Sequence, residues 1–332
     1  MTDLEKVRSN GTYIRYIENP TEELCLAAVE ENGYALQFIN KQTEEVCLSA
    51  VRRTAAALQY VHDQTEQVCM TALHKDASVF VHIRNQTHKL CLAAVAMRGD
   101  NLRYVKEQTE DICMSAVMND GMALQYVTNK TDELCITAVK NNGLALEFVP
   151  NKTPEICMIA VQQNGSALQY VYSQTEEICK LAVSNSPTTL QFVKNQTEEV
   201  CMIALKADGS NISFVREQTE PLCLFALQQS LKALDFIRDK SINIWFAAVR
   251  RDYTILDKVP KKLHEELIHT MKVVDSRRVA EREHVTKVAN QMNIYSDVEV
   301  VIFAKELARI GGFKSDDVWV DAYNALTAAG VH

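Results

Sequence analysis

The chain lacks the marks of several large protein classes. No run of 18 apolar residues occurs, so no stretch reaches the length that a membrane-spanning helix needs. Its opening residues, MTDLEKVRSNG, hold no basic segment followed by an apolar one, the pattern of a secretory leader, and the expected compartment is the cytoplasm. Basic residues are outnumbered, 35 Lys and Arg against 43 Asp and Glu, and the net charge of −8 argues against a general polyanion binder. No glycine loop suited to phosphate, no nucleophile beside a base and no paired carboxylates stand out, which argues against an enzyme and implies no cofactor. What is present is 47% hydrophobic residues with 23% charged, enough to bury a sizeable core in a soluble folded protein.

That content is arranged with a metre. Threonine recurs every 22 residues from Thr21 to Thr219 without an insertion, and Ser241 takes the next place. Four residues after each threonine stands a cysteine, from Cys25 to Cys223, and Trp245 closes the series; all 10 cysteines of the chain lie in this column. Alanine is invariant at 28 and at every 22nd position through 248. Val7 and Gly11 fit the register backwards, so the repeats extend over residues 1–260.

Each repeat has a physical reading. Thr21 suits a helix N-cap, and Glu22 and Glu23 suit the positive end of the helix dipole; Pro154, directly after Thr153, suits a first helical position. Leu24, Cys25, Ala28 and Val29 then fall on one helical face. Asn32-Gly33 follows, and glycine recurs at 11, 33, 99, 121, 143, 165 and 209, as a left-handed residue ending the helix would. A shorter run such as ALQFI at 35–39 or ALQYV at 123–127 reads as a second helix, with a strand as the alternative. The asparagine ladder and L-x-x-L-x-L spacing of leucine-rich repeats are missing, which favours the helix. The expected fold is all-α: an α-solenoid of about 11 tandem 22-residue helical hairpins over 1–260, with a C-terminal helical cap or partner-binding domain over 261–332.

The pattern T-x-E-h-C-h-x-A-V-x-x-N-G-x-A-L-x-Y-V-x-x-Q resembles the short tandem repeat described as domain of unknown function 4116, found in giant DNA viruses of amoebae and some other microbes. The resemblance covers residues 1 to about 260 and implies a viral or intracellular setting. It implies no activity and no site residues.

Equivalent residues of stacked helices lie about 8–10 Å apart, beyond the roughly 7 Å reach of a disulfide, and a lone cysteine per repeat makes no metal site; the cysteines read as small core residues. Invariant alanine marks close helix approach. The aromatic column, from Tyr16 to Phe236 with His82 as its exception, reads as core or groove lining, or else as a base-stacking row, although no basic column is expected beside it. Gln42, Gln64, Gln86, Gln108, Gln174, Gln196 and Gln218, replaced by Lys130, Lys152 and Lys240, read as solvent-facing linker polarity. The glutamates of the first turns should form an acidic ridge.

Thr87-His88-Lys89 reverses the charge of that ridge. With His82, Arg84, Arg98 and Arg103 it is the expected docking spot for an acidic protein partner. HEELIH at 264–269 spaces its histidines five apart, whereas the zinc-protease motif needs four, so it is not expected to bind metal. Helices are expected near 263–275, 278–292, 297–310 and 316–329, with Ser296 and Ser315 as caps. The function expected is a non-enzymatic scaffold for protein–protein interaction, as a viral host-directed effector or virion component. The alternative is a helical-repeat binder of single-stranded nucleic acid.

Overall fold

The computed structural model describes residues 2–269, and among these every regular element is helical. The expected cap helices beyond 269, with Ser296 and Ser315, lie outside the described residues. Ten-residue α-helices recur from Glu22–Glu31 to Ile242–Arg251, preceded by the shorter Asp3–Ser9, and each is followed by a 3-10 helix such as Gly33–Phe38 or Gly121–Tyr126. The chain is an α-solenoid of repeats. It divides into two compact units, Met1–Glu217 and Gln218–His332. The second unit's described part holds the helices Glu220–Gln229 and Ile242–Arg251, their 3-10 partners, and a further 3-10 turn, Lys261–Leu263.

The α-helix begins as its sequence dictates. The Thr21 hydroxyl accepts the N–H of Leu24, and Thr43, Thr65, Thr131 and Thr197 repeat the contact with Val46, Val68, Leu134 and Val200. Pro154 occupies the first turn after Thr153. Each helix turns inward one apolar face, as Val46, Cys47, Ala50 and Val51 do, none of them more than 3% exposed.

The second element is tighter than an α-helix, and its packing shows why. In a 3-10 helix residues three apart eclipse one another, so Gly33, Leu36 and Ile39 share one face and all are buried. Asn32 starts the turn, its side-chain oxygen accepting the Tyr34 N–H at 3.0 Å, and the Ile39 N–H closes it on the Leu36 carbonyl at 3.1 Å. The same device recurs at Asp76, Asp120, Asn142, Asn164 and Asp208.

The recurring glycine does not end the helix in a left-handed conformation. The helix ends on an extended residue, Asn32 at φ −143° and ψ 108°, and Gly33 opens the 3-10 helix. What demands glycine is the following repeat. A Cβ on Gly33 would lie 2.6 Å from the carbonyl oxygen of Ala50, one on Gly121 2.4 Å from that of Ala138, and one on Gly143 2.3 Å from that of Ala160. The alanine and glycine columns are therefore the two sides of one close approach. Ala55, Ala77, Pro187, Leu231 and Tyr253 take the glycine's place in the other repeats.

Gly121→Ala is expected to destabilise the protein by about 1–3 kcal/mol, because the Ala138 backbone must move to admit the methyl. Comparing it with Ala55→Gly, at a position that already carries a methyl, checks this by urea denaturation; equal effects of the two would refute the close approach.

Candidate functional site

The polar surface that recurs in every repeat is the loop edge after the 3-10 helix, and its glutamines are not idle linker polarity. The Gln42 side-chain amide donates to the carbonyls of Ile39 and Leu36 in its own repeat, at 3.2 and 3.3 Å, and to Tyr60 in the next at 3.0 Å. Its oxygen accepts the N–H of His62, also in the next repeat, at 2.9 Å. Gln64 makes the same pair with His82 and Arg84, Gln108 with Tyr126 and Thr128, and Gln196 with Phe214 and Arg216. Within the second unit Gln218 does so with Phe236 and Arg238. A carboxamide is needed because the next loop offers one acceptor and one donor.

This geometry accounts for two of the three lysine substitutions. The residue 20 places after Lys130 is Pro150, and 20 places after Lys240 is Pro260. Proline has no N–H, so no side-chain oxygen is called for there. Lys152 is the exception, facing Tyr172, which has an N–H. Its ammonium donates to the Val149 carbonyl at 2.8 Å and lies 5.3 Å from the Tyr172 ring centroid.

A second connection runs at the far end of the α-helix. Asn141 accepts the Gly121 N–H at 2.7 Å and donates to the Met118 carbonyl at 2.9 Å, both in the preceding repeat. Asn119 does the same with Gly99 and Ala96, and Gln163 with Gly143 and Asn141. The acidic ridge is also knitted between repeats. The Thr43 hydroxyl donates to Glu22 and that of Thr65 to Glu44, each at 2.7 Å.

The cysteines lie beneath the loop edge, free and buried. The thiol of Cys47 stands 3.6 Å from the Gln42 side-chain oxygen, and Cys113 and Cys179 face Gln108 and Gln174 at 3.8 Å. Burial pushes the thiols of Cys47 and Cys69 up from 9.0 to about 11, so they are protonated at neutral pH and poor nucleophiles.

The six basic residues expected to form a docking spot fall into separate settings. Arg84 and His88 line a cleft of about 300 Å³ together with Gln86, Lys106 and Thr109. The Arg84 guanidinium donates to the carbonyls of Val61 and His62, and His88 Nε2 lies 2.8 Å from Asp111. The Thr109 hydroxyl, then the His88 ring, hold the Asp111 carboxyl below its usual range. Lys89 reaches back to Glu66 at 2.6 Å. Arg98 and Arg103 gather elsewhere, on Asp100, at 2.6 and 3.8 Å. His82 is half-buried, and its backbone carbonyl is a partner of Gln64.

The aromatic row is neither core nor free surface. Phe38, Tyr60, Tyr126, Phe148, Tyr170, Phe192 and Phe214 are half-buried, while Tyr16 and Tyr104 are exposed. A partial basic column does accompany it, contrary to expectation: Arg84, Lys106, Lys194 and Arg216 stand two residues after the ring position. Their side chains lie along the preceding loop. Lys106 donates to the Arg84 carbonyl at 3.2 Å and Lys194 to that of Tyr172 at 2.8 Å.

In the HEELIH segment, His264 Nε2 lies 2.8 Å from the Val259 carbonyl, and Leu267 is fully buried. Among the described residues no three His, Cys, Asp or Glu side chains converge as metal ligands would, and no helix is long and apolar enough to cross a membrane.

Two outcomes are expected. Lys152→Gln should stabilise the protein by about 1 kcal/mol by accepting the Tyr172 N–H, whereas Lys130→Gln, facing Pro150, should gain less; thermal unfolding of the two variants checks the order. The raised thiol pKa values contribute stability that is complete below the unfolded value near 9.0 and is lost as pH rises towards about 11. Thiolate absorbance should accordingly rise near pH 9.0 in the urea-unfolded chain and near pH 11 for Cys47 and Cys69 in the folded one.

No curated protein and no solved structure matches the chain. The family model of a domain of unknown function, DUF4116, matches residues 21–65 and 131–175, and both segments run from one capping threonine to another two repeats on. Those two segments are thus similar to that domain, and the helical repeats around them follow the same 22-residue metre.

Proposed function

We propose that the protein is a non-enzymatic scaffold whose repeated surface binds other proteins. The observation that carries this is the aromatic row. The recurring glutamines, asparagines and cap threonines are taken up in joining repeat to repeat, whereas the half-buried Tyr and Phe side chains keep an open face at a fixed spacing on rigid 3-10 helices. Large, pre-ordered aromatic side chains are the commonest anchors of protein interfaces, because they bury much area at little entropic cost. The resemblance to repeats of giant DNA viruses supports a host-directed or particle-associated setting.

A second reading, binding of single-stranded nucleic acid, draws on the cations two residues beyond the rings. It is the weaker one, because Arg84, Lys106 and Lys194 spend donors on loop carbonyls and Asp63, Glu107 and Glu217 stand beside the column.

The test is a triple variant, Tyr126→Ser, Phe148→Ser and Tyr170→Ser, compared with the parent as bait in cell lysate. Circular dichroism should show the helices kept, and the proteins retained by the parent should be lost. Nuclease and moderate salt should leave the parent's yield unchanged. Loss of the yield on nuclease treatment, or in proportion to salt, would establish the nucleic-acid reading instead.

A further inference from the structure

One loop of the array departs from the joining pattern in a way that specifies a ligand. The clamp position that is glutamine or lysine from residue 42 to residue 240 is Pro20 in the first loop. Proline offers neither amide nor side-chain oxygen. Beside it lies a cavity of about 590 Å³, roughly twice the size of the cleft in the same register beside Gln86. Its lining includes Ile17, Cys25, Phe38 and Asn40, together with the charged Arg15, Glu18 and Lys41, whose side chains the glutamate comparison below also tests. Asn19, just before the proline, is the one described non-glycine residue in the left-handed region, at φ 52°, so the loop takes a turn that no other described loop shares.

The backbone groups that a glutamine would join are all at this cavity. Counting back one repeat from the Gln42 clamp, the Tyr60 carbonyl corresponds to that of Phe38, the His62 N–H to that of Asn40, and the Ile39 carbonyl to that of Ile17. The Cys47 thiol corresponds to Cys25. Among the described residues no side chain bridges Phe38 and Asn40. The wall of the cavity is therefore the receptor half of a contact that glutamine completes in most other loops, with N···O distances of 2.9–3.0 Å at Gln42.

We propose that this notch binds a primary carboxamide presented by a partner polypeptide, namely a glutamine side chain. Its NH2 donates to the carbonyls of Phe38 and Ile17, and its oxygen accepts the Asn40 N–H, as Gln42 does one repeat on. A glutamate has no proton for the Phe38 carbonyl and would set like charge density against it; a methionine fills similar space but leaves both backbone groups unpaired. The cavity exceeds one carboxamide, which leaves room for the stem that carries it. This proposal rests on the scaffold reading for the nature of the partner, but its site lies far along the sequence from the rings tested above.

The test needs no natural partner, so its failure is distinct from failure of the scaffold reading. Full-length protein labelled with 15N is titrated with N-acetyl-glutamine N-methylamide, with the corresponding glutamate compound, and with free glutamine, at millimolar concentrations, while the Asn40 amide resonance is followed. The glutamine diamide should move that resonance saturably, and the glutamate compound should bind roughly tenfold more weakly or worse. Pro20→Gln, which supplies the carboxamide from within the chain, should abolish the response and raise the thermal midpoint, while Pro20→Ala should keep the response. No movement of Asn40 in the parent, or equal movement by the glutamate compound, would overturn the proposal. Tighter binding of free glutamine than of the diamide would overturn the polypeptide as its source.

Discussion

The array depends on a single chemical fact, that a carboxamide can donate and accept at once. A 3-10 helix of six residues leaves a carbonyl at its end and an N–H two residues on, and the glutamine of the preceding loop reaches both. Water could satisfy them separately, but a side chain that satisfies both also fixes the distance between repeats. Glutamine does this at the loop edge and asparagine or glutamine does it at the helix end. Where both are present, as Gln108 and Asn119 are, they hold the spacing from opposite ends of the repeat around the close approach of glycine to the alanine carbonyl.

Several features then follow as consequences. The thiols sit directly under the loop glutamines, where a group small enough to fit and a weak enough donor not to compete is required, and cysteine meets both conditions. Thr43, Thr65 and Thr197 use their hydroxyl twice, accepting from their own helix and donating to the glutamate one repeat back, so these acidic first turns serve the helix dipole and the stacking together. Interactions of this kind reach only the adjacent repeat. Stability is then a chain of nearest-neighbour terms, and a weak junction stays local rather than spreading through a common core.

The sequence made the metre, the caps and the buried face plain, because N-cap chemistry and apolar periodicity are local and leave their mark within one repeat. The roles of glycine and glutamine are not legible in one repeat, for the opposite reason. Gly33 faces Ala50 and Gln42 faces His62, contacts set by the rise from repeat to repeat rather than by the chain's local geometry. A signal for the clamp was nonetheless present in the pairs Lys130 with Pro150 and Lys240 with Pro260. Comparing each substitution with the residue 20 places on, rather than with its own column, would have exposed it. The basic residues near Thr87 stood out by charge alone, and charge could not reveal that Lys89 and His88 pair with Glu66 and Asp111 of the flanking repeats.

The same logic separates structure from function in a repeat protein. The glutamines, glycines, alanines and cap threonines that recur answer needs shared by the junctions, namely backbone groups, helix ends and close packing, whereas the recurring rings stay half-buried. Specificity must come from positions where the junction's requirement is lifted or left unmet. Pro150 and Pro260 lift half of it, by removing the N–H, and lysine stands at the clamp position there. Pro20 leaves it unmet, because Phe38 and Asn40 keep both the carbonyl and the N–H. Of the loops that depart from glutamine, those at Lys130 and Lys240 face a proline, Lys152 donates to carbonyls of its own repeat, and the one at Pro20 leaves a carbonyl and an N–H beside a cavity of about 590 Å³.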